Sequence, residues 1–108
     1  MAGPVPHPHA IDPAAQEAFD AGTREFVLGD DAAAITHLRM AVAAHADFAD
    51  AHYMLGLALV RHGDVEGGIE ALSAAAETTP NAILREYAQK KVASVRAAAA
   101  VGEGEGPG

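Results

Sequence analysis

Apolar residues recur every three or four positions along most of the chain, and polar residues fill the positions between them. This spacing is typical of one face of an α-helix, and glycine, proline or aspartate interrupts it roughly every fifteen residues. The interruptions predict five helices joined by very short turns, near residues 13–28, 31–45, 48–62, 65–78 and 80–100. Because turns this short make consecutive helices antiparallel, the pattern predicts an all-α fold.

The residues at the interruptions indicate where each helix begins and ends. Asp12-Pro13 combines an N-cap with proline at the first helical position, and Thr79-Pro80 repeats this signal before the fifth helix. Gly29-Asp30 and Gly63-Asp64 each join a helix-ending glycine to a capping aspartate. Asp47 is expected to open the third helix.

The chain also repeats itself after 34 residues. Phe19, Tyr53 and Tyr87 are each 34 residues apart, and the whole chain contains only three Phe and two Tyr. The same shift superimposes Gly22 on Gly56 and the first Gly-Asp turn on the second. The period therefore extends into the fifth helix, which we interpret as the first helix of an incomplete third unit.

A helix–turn–helix unit of this length, with small residues at fixed offsets, resembles the tetratricopeptide repeat. The family's small positions correspond to Gly22, Ala34 and Ala41 in the first unit and to Gly56, Gly68 and Ala75 in the second. The resemblance implies a short right-handed α-solenoid over residues 13–100, with repeats 15–48 and 49–82 and a capping helix over 80–100. Lys90 replaces a small residue in that helix, as expected where no partner helix covers it.

The two ends of the chain lie outside this predicted domain. Residues 1–12 are rich in proline and histidine and are expected to form a disordered arm. Residues 101–108 alternate glycine with glutamate and are expected to form a flexible tail.

The resemblance also implies a function, because the first helices of tetratricopeptide units line a concave groove that receives a peptide or helix. Transferred to this chain, the peptide-binding groove consists of Phe19, Thr23, Phe26, Tyr53, Leu57, Arg61, Tyr87 and Lys91. The expected function is that of a protein-interaction adaptor that binds an apolar or amphipathic segment of a protein partner. The alternative is a self-associating scaffold, a homo-oligomer without a separate ligand. The aromatic rings of the 34-residue series face either the groove or the core, because Ala18 and His52 replace the family's core aromatic residue.

Charge and composition narrow the class of partner. The net charge of −8 argues against nucleic acid, because phosphate binding requires a basic surface. The absence of cysteine excludes thiol catalysis and cysteine-ligated zinc. No apolar run has the length of a membrane span, and the first residues lack the apolar core of a signal peptide. A cytoplasmic location and no membrane partner are therefore expected.

No group of residues predicts catalysis or cofactor binding. The six histidines show neither an i,i+4 pair within the predicted helices nor an HExxH motif; they are His7, His9, His37, His45, His52 and His62. We therefore expect no metal, no cofactor and no enzymatic activity.

Overall fold

The computed structural model of the chain describes residues 10–104, which form five α-helices and no strand. The helices are α1 (Pro13–Val27), α2 (Asp31–Ala44), α3 (Ala49–Arg61), α4 (Val65–Thr78) and α5 (Ala82–Gly104). The predicted all-α fold is confirmed, and the first four helices end within a residue or so of their predicted bounds. The fifth helix differs most, because it begins at Ala82 rather than at residue 80 and continues to Gly104 rather than ending near residue 100. Residues 1–9 of the predicted arm and 105–108 of the predicted tail lie outside the described residues.

The two Gly-Asp turns each end one helix and begin the next. Gly29 has a φ of +88° and Gly63 a φ of +101°, a left-handed conformation that glycine adopts without steric cost. At the first turn, the amide of Asp30 donates to the carbonyl of Glu25, and the Asp30 side chain then accepts from the amide of Ala33. A carbonyl near the end of α1 and an amide near the start of α2 thus find hydrogen-bond partners within a few residues, and the short turn holds α1 and α2 antiparallel.

Two helices begin differently from the sequence prediction. The N-cap of α3 is Phe48, which makes no side-chain capping bond, so Asp47 does not open that helix. The N-cap of α5 is Asn81, whose side-chain oxygen accepts from the amides of Ile83 and Leu84 at 2.8 and 3.3 Å. Pro80 therefore precedes the helix instead of occupying its first position, and Thr79 ends α4 as its buried C-cap.

The small residues of the repeat allow the two helices of each unit to approach closely. A Cβ atom at Gly22 would lie 2.7 Å from Cγ of Leu38, and one at Gly56 would lie 2.6 Å from Cγ of Leu72. Both leucines are completely buried. The equivalent contact therefore recurs one period later, as expected for a solenoid whose units share one packing geometry.

The core runs along the solenoid as three apolar clusters. The first two join α1, α2 and α3, and the first also includes Ala71 of α4. The third joins α4 to α5 through Leu72, Val92 and Val95. The opposite side of α5 is exposed, where Lys90 and Glu86 form an ion pair of 3.1 Å that faces solvent. α5 therefore combines an apolar side that packs on α4 with an outer side that carries this ion pair.

Candidate functional site

All eight residues of the predicted groove lie on α1, α3 and α5, the first helices of the three units. Tyr87 and Arg61 are exposed, and the other six are half-buried. Half-buried side chains are typical of the floor of a binding groove, where one side of each residue packs on the core and the other side is accessible. The exposure of individual side chains therefore decides what each residue can contact.

Phe19 contributes mainly to the contact between the first two repeats. Its ring lies 4.9 Å from the ring of Phe48, at an interplanar angle of 40°. It also packs against the apolar clusters that join α1 to α2 and α3. The residue as a whole is half-buried, so Phe19 lies between core and groove.

Tyr53 and Leu57 occupy the same intermediate depth one repeat later. Both side chains pack against the third cluster, which joins α4 to α5. Tyr87, the next member of the 34-residue series, is 63% exposed. The following unit thus partly covers the earlier two rings, whereas no further helix packs over Tyr87 within the part of the chain that the structure describes.

Arg61 is paired within the chain. Its guanidinium carbon lies 3.7 Å from the centroid of the Phe26 ring, and its Nε donates to Oδ1 of Asp31 at 2.6 Å. A second guanidinium nitrogen donates to the backbone carbonyl of Phe26 in the last turn of α1. Arg61 therefore ties the end of α3 to the turn between α1 and α2, and the Asp31 carboxylate already neutralises its charge.

Lys91 and Thr23 complete the predicted set. Among the described residues Lys91 has no ion-pair partner, so its ammonium group remains available on the half-buried surface of α5. The hydroxyl oxygen of Thr23 is buried and finds no hydrogen-bond partner within residues 10–104. A buried hydroxyl without a partner costs about 1–3 kcal/mol.

A cleft of about 660 Å³ lies at the end of the solenoid where α3 and α5 begin. Its lining includes Ile11, Asp47, Phe48, Asp50, Ile83, Leu84 and Tyr87. Of these, Tyr87 is among the eight residues of the predicted groove, and Asp50 and Leu84 stand one helical turn before Tyr53 and Tyr87 on the same faces of α3 and α5. A signal for Ile83 was present in the period, because it stands where the first two repeats have Ala15 and Ala49.

Three of the four histidines within residues 10–104 have separate local partners. His37 Nδ1 lies 2.5 Å from a carboxylate oxygen of Glu25, and this contact links α1 to α2. His52 contacts the backbone carbonyl of Ala46 at 2.7 Å, and the ring of His45 meets Phe48 edge-on. Within residues 10–104 no three His, Asp or Glu side chains gather in an arrangement that could hold a metal ion. His7 and His9 lie outside the described residues.

A family model described as a tetratricopeptide repeat matches residues 19–83, which include most of α1 and all of α2, α3 and α4. A comparison with curated proteins finds no match. Of the five helices described, none combines the length and apolar character needed to cross a bilayer.

Proposed function

Because the chain belongs to the tetratricopeptide repeat family, whose domains generally mediate protein–protein interaction, we propose that it is an adaptor that binds a peptide in its concave groove. The ligand of this proposal is an apolar or amphipathic segment of a protein partner. Such domains generally do not catalyse reactions, and the proposal gives the chain no chemical step.

The exposed ring of Tyr87 is the observation that carries the proposal. Tyr87 and Lys91 are one helical turn apart on α5, so an exposed ring and an unpaired ammonium group lie on the same side of that helix. Aromatic side chains are effective anchors because they bury a large area with few rotatable bonds. A peptide that covers Tyr87 would therefore gain apolar contact from its ring and a charged hydrogen bond from Lys91.

The other groove residues have supporting roles in this proposal. Phe19, Tyr53 and Leu57 supply a half-buried apolar floor that is already packed and needs little reordering on binding. Arg61 and Phe26 hold the first repeat against the second and so fix the spacing of the floor. Thr23 offers a hydroxyl that has no partner within residues 10–104 and that a small side-chain movement could present to a peptide.

Capture of partners with two matched variants of the full chain tests the proposal. The Tyr87→Ala, Lys91→Ala variant removes the exposed groove contacts, and the Glu86→Ala, Lys90→Ala control removes an ion pair on another face of the same helix. We expect specific partners to be recovered with the wild-type chain and the control but lost with the groove variant. Circular dichroism should show equal helix content and similar thermal unfolding for all three. Equal recovery with the groove variant would contradict the proposal.

The second candidate is a self-associating scaffold, favoured by the same exposed ring, which a second copy of the chain would then cover. Sedimentation velocity over a concentration series separates the two candidates. The adaptor proposal expects a monomer throughout, and a dimer that dissociates when Tyr87 is replaced by Ala would favour the scaffold instead.

A further inference from the structure

The cleft where α3 and α5 begin adjoins the predicted groove, with which it shares Tyr87. We refer to it as the rim cleft and define it by Ile83, Leu84 and Tyr87 on α5, and by Asp47 and Asp50 near the start of α3. At about 660 Å³ it falls within the usual size range of sites that take a small ligand or a few side chains of a peptide.

The wall of the rim cleft formed by α5 exposes large apolar side chains. Ile83 is 67% exposed and Tyr87 is 63% exposed. Ala49 and Ala15 stand at the equivalent position in the second and first repeats, 34 and 68 residues before Ile83. Ala49 is 9% exposed and Ala15 is 0% exposed. The alanine at each of those two positions is therefore buried. No helix follows α5 within residues 10–104, and α5 carries a large apolar residue at a place where that residue packs little.

The opposite wall carries two carboxylates beside the ring of His45. Asp47 and Asp50 are exposed, and within residues 10–104 no lysine or arginine lines this wall, although Arg85 donates to the carbonyl of Thr79 at the edge of the cleft. Among the described residues neither carboxylate forms an ion pair or hydrogen bond, whereas Asp31 is paired with Arg61 and Asp30 caps α2. Unpaired carboxylates beside an apolar surface favour a cationic partner, because the low dielectric of the wall strengthens their field.

From this pairing of an apolar wall with an acidic wall, we propose that the rim cleft binds a basic apolar segment of the partner protein. An apolar side chain would cover Ile83 and Leu84, and a flanking lysine or arginine would lie between Asp47 and Asp50. An arginine there also reaches the face of the Tyr87 ring, which attracts cations. This inference rests on the proposed adaptor function and adds to it the charge and the position of the bound segment.

Fluorescence polarisation with two synthetic peptides tests the inference. The probe is a short fluorescein-labelled peptide in which leucine and phenylalanine alternate with lysine, and its counterpart has glutamate in place of every lysine. We expect the full chain to bind the lysine peptide and not the glutamate peptide. Raising the salt concentration should weaken the binding, because surface charges are screened within about 10 Å at 0.1 M salt.

Matched variants assign the binding to the rim cleft. The Asp47→Asn, Asp50→Asn variant should weaken the binding of the lysine peptide by roughly three- to tenfold. The Glu66→Gln, Glu70→Gln control removes the same number of negative charges from α4, and it should leave the affinity nearly unchanged. Ile83→Ser removes an exposed side chain that contributes little to the core, and it should weaken the binding without lowering thermal stability.

The outcomes separate this inference from the function on which it rests. If the lysine peptide binds with equal affinity to the wild type and to the aspartate variant, the rim cleft inference is wrong. If natural partners are captured through Tyr87 and Lys91 but are indifferent to Ile83→Ser and to the aspartate variant, the groove stands and the rim cleft fails. A dimer that Ile83→Ser dissociates would assign the cleft to a second copy of the chain and would also overturn the inference.

Discussion

Replacement of Arg61 by alanine should measurably loosen the joint between the two repeats. The guanidinium group stacks on the Phe26 ring at 3.7 Å, pairs with Asp31 and donates to the carbonyl that ends α1. The alanine variant loses all three contacts at once. It also leaves the Asp31 carboxylate, which is 16% exposed, without its partner.

The size of the loss follows from the exposure of the group. Because the Arg61 side chain is 42% exposed, water screens its charge, and the ion pair is assigned about 0.5 kcal/mol. The stacking on Phe26 adds about 0.5–1 kcal/mol at an accessible site. The hydrogen bond to the Phe26 carbonyl adds about 1 kcal/mol. We therefore expect the free energy of unfolding to fall by about 2 kcal/mol, and the melting temperature to fall by roughly 8–15 °C for a domain of this size.

Urea unfolding followed by circular dichroism measures this loss, and a double-mutant cycle with Asp31→Ala isolates the ion pair. The cycle should give a coupling energy of about 0.5 kcal/mol. Arg61→Lys keeps the charge but loses the planar fork and the stacking, so it should restore less than half of the stability. Arg39→Ala removes an exposed arginine from α2 and should change stability by less than about 0.5 kcal/mol. The reasoning is refuted if Arg61→Ala and Arg39→Ala unfold at the same urea concentration.

Three further substitutions test the packing, each by urea unfolding. Gly22→Ala should lower the free energy of unfolding by about 1 kcal/mol, because the clash of the new Cβ with Leu38 outweighs the gain in helix propensity. Unchanged or higher stability would show that the two helices can move apart. Thr23→Val should raise stability by about 1 kcal/mol, because it removes a buried hydroxyl that has no partner within residues 10–104, and a decrease would indicate a hydrogen bond to that oxygen. Phe48→Ala should lower the free energy of unfolding by about 3–5 kcal/mol, because it leaves a cavity at a buried site and removes the ring that packs on Phe19. A decrease below about 1 kcal/mol would contradict the role given to the contact between these two rings.

The fold could be predicted from the sequence because its main determinants are local and periodic. The Gly29 and Gly63 turns need a left-handed backbone that only glycine adopts freely, so they mark helix ends directly. The contacts of Gly22 with Leu38 and of Gly56 with Leu72 follow from the same 34-residue spacing. Each of these features depends on residues that are close in sequence or exactly one period apart.

The starts of α3 and α5 were predicted less well than the two Gly-Asp turns. The sequence before α3 contains an aspartate, yet the structure places buried Phe48 at the N-cap, where its ring can reach Phe19. Before α5, the Asn81 side chain takes the capping role and Pro80 is left in the turn. Tertiary packing decides the first case, and the choice between two local caps decides the second.

The candidate site could be predicted only in part. The 34-residue series located the rings of Phe19, Tyr53 and Tyr87, but not how deeply each is buried, because burial depends on whether a further unit follows. Arg61 was predicted to line the groove, but its pairing with Asp31 could not be predicted, because Asp31 lies thirty residues away and is not related to it by the period. The rim cleft was missed because it joins residues from separate turns.

The central claim, that the chain binds a peptide in its concave groove, is tested most directly by mapping the contact surface in solution. Nuclear magnetic resonance of the isotopically labelled full chain, titrated with a segment of a captured partner, reports which residues change environment. The account predicts the largest chemical-shift changes at Tyr87 and Lys91, smaller ones at Tyr53 and Leu57, and almost none at Arg39 and Met40 on the exposed side of α2. Changes concentrated on α2 and α4, with Tyr87 unaffected, would contradict it.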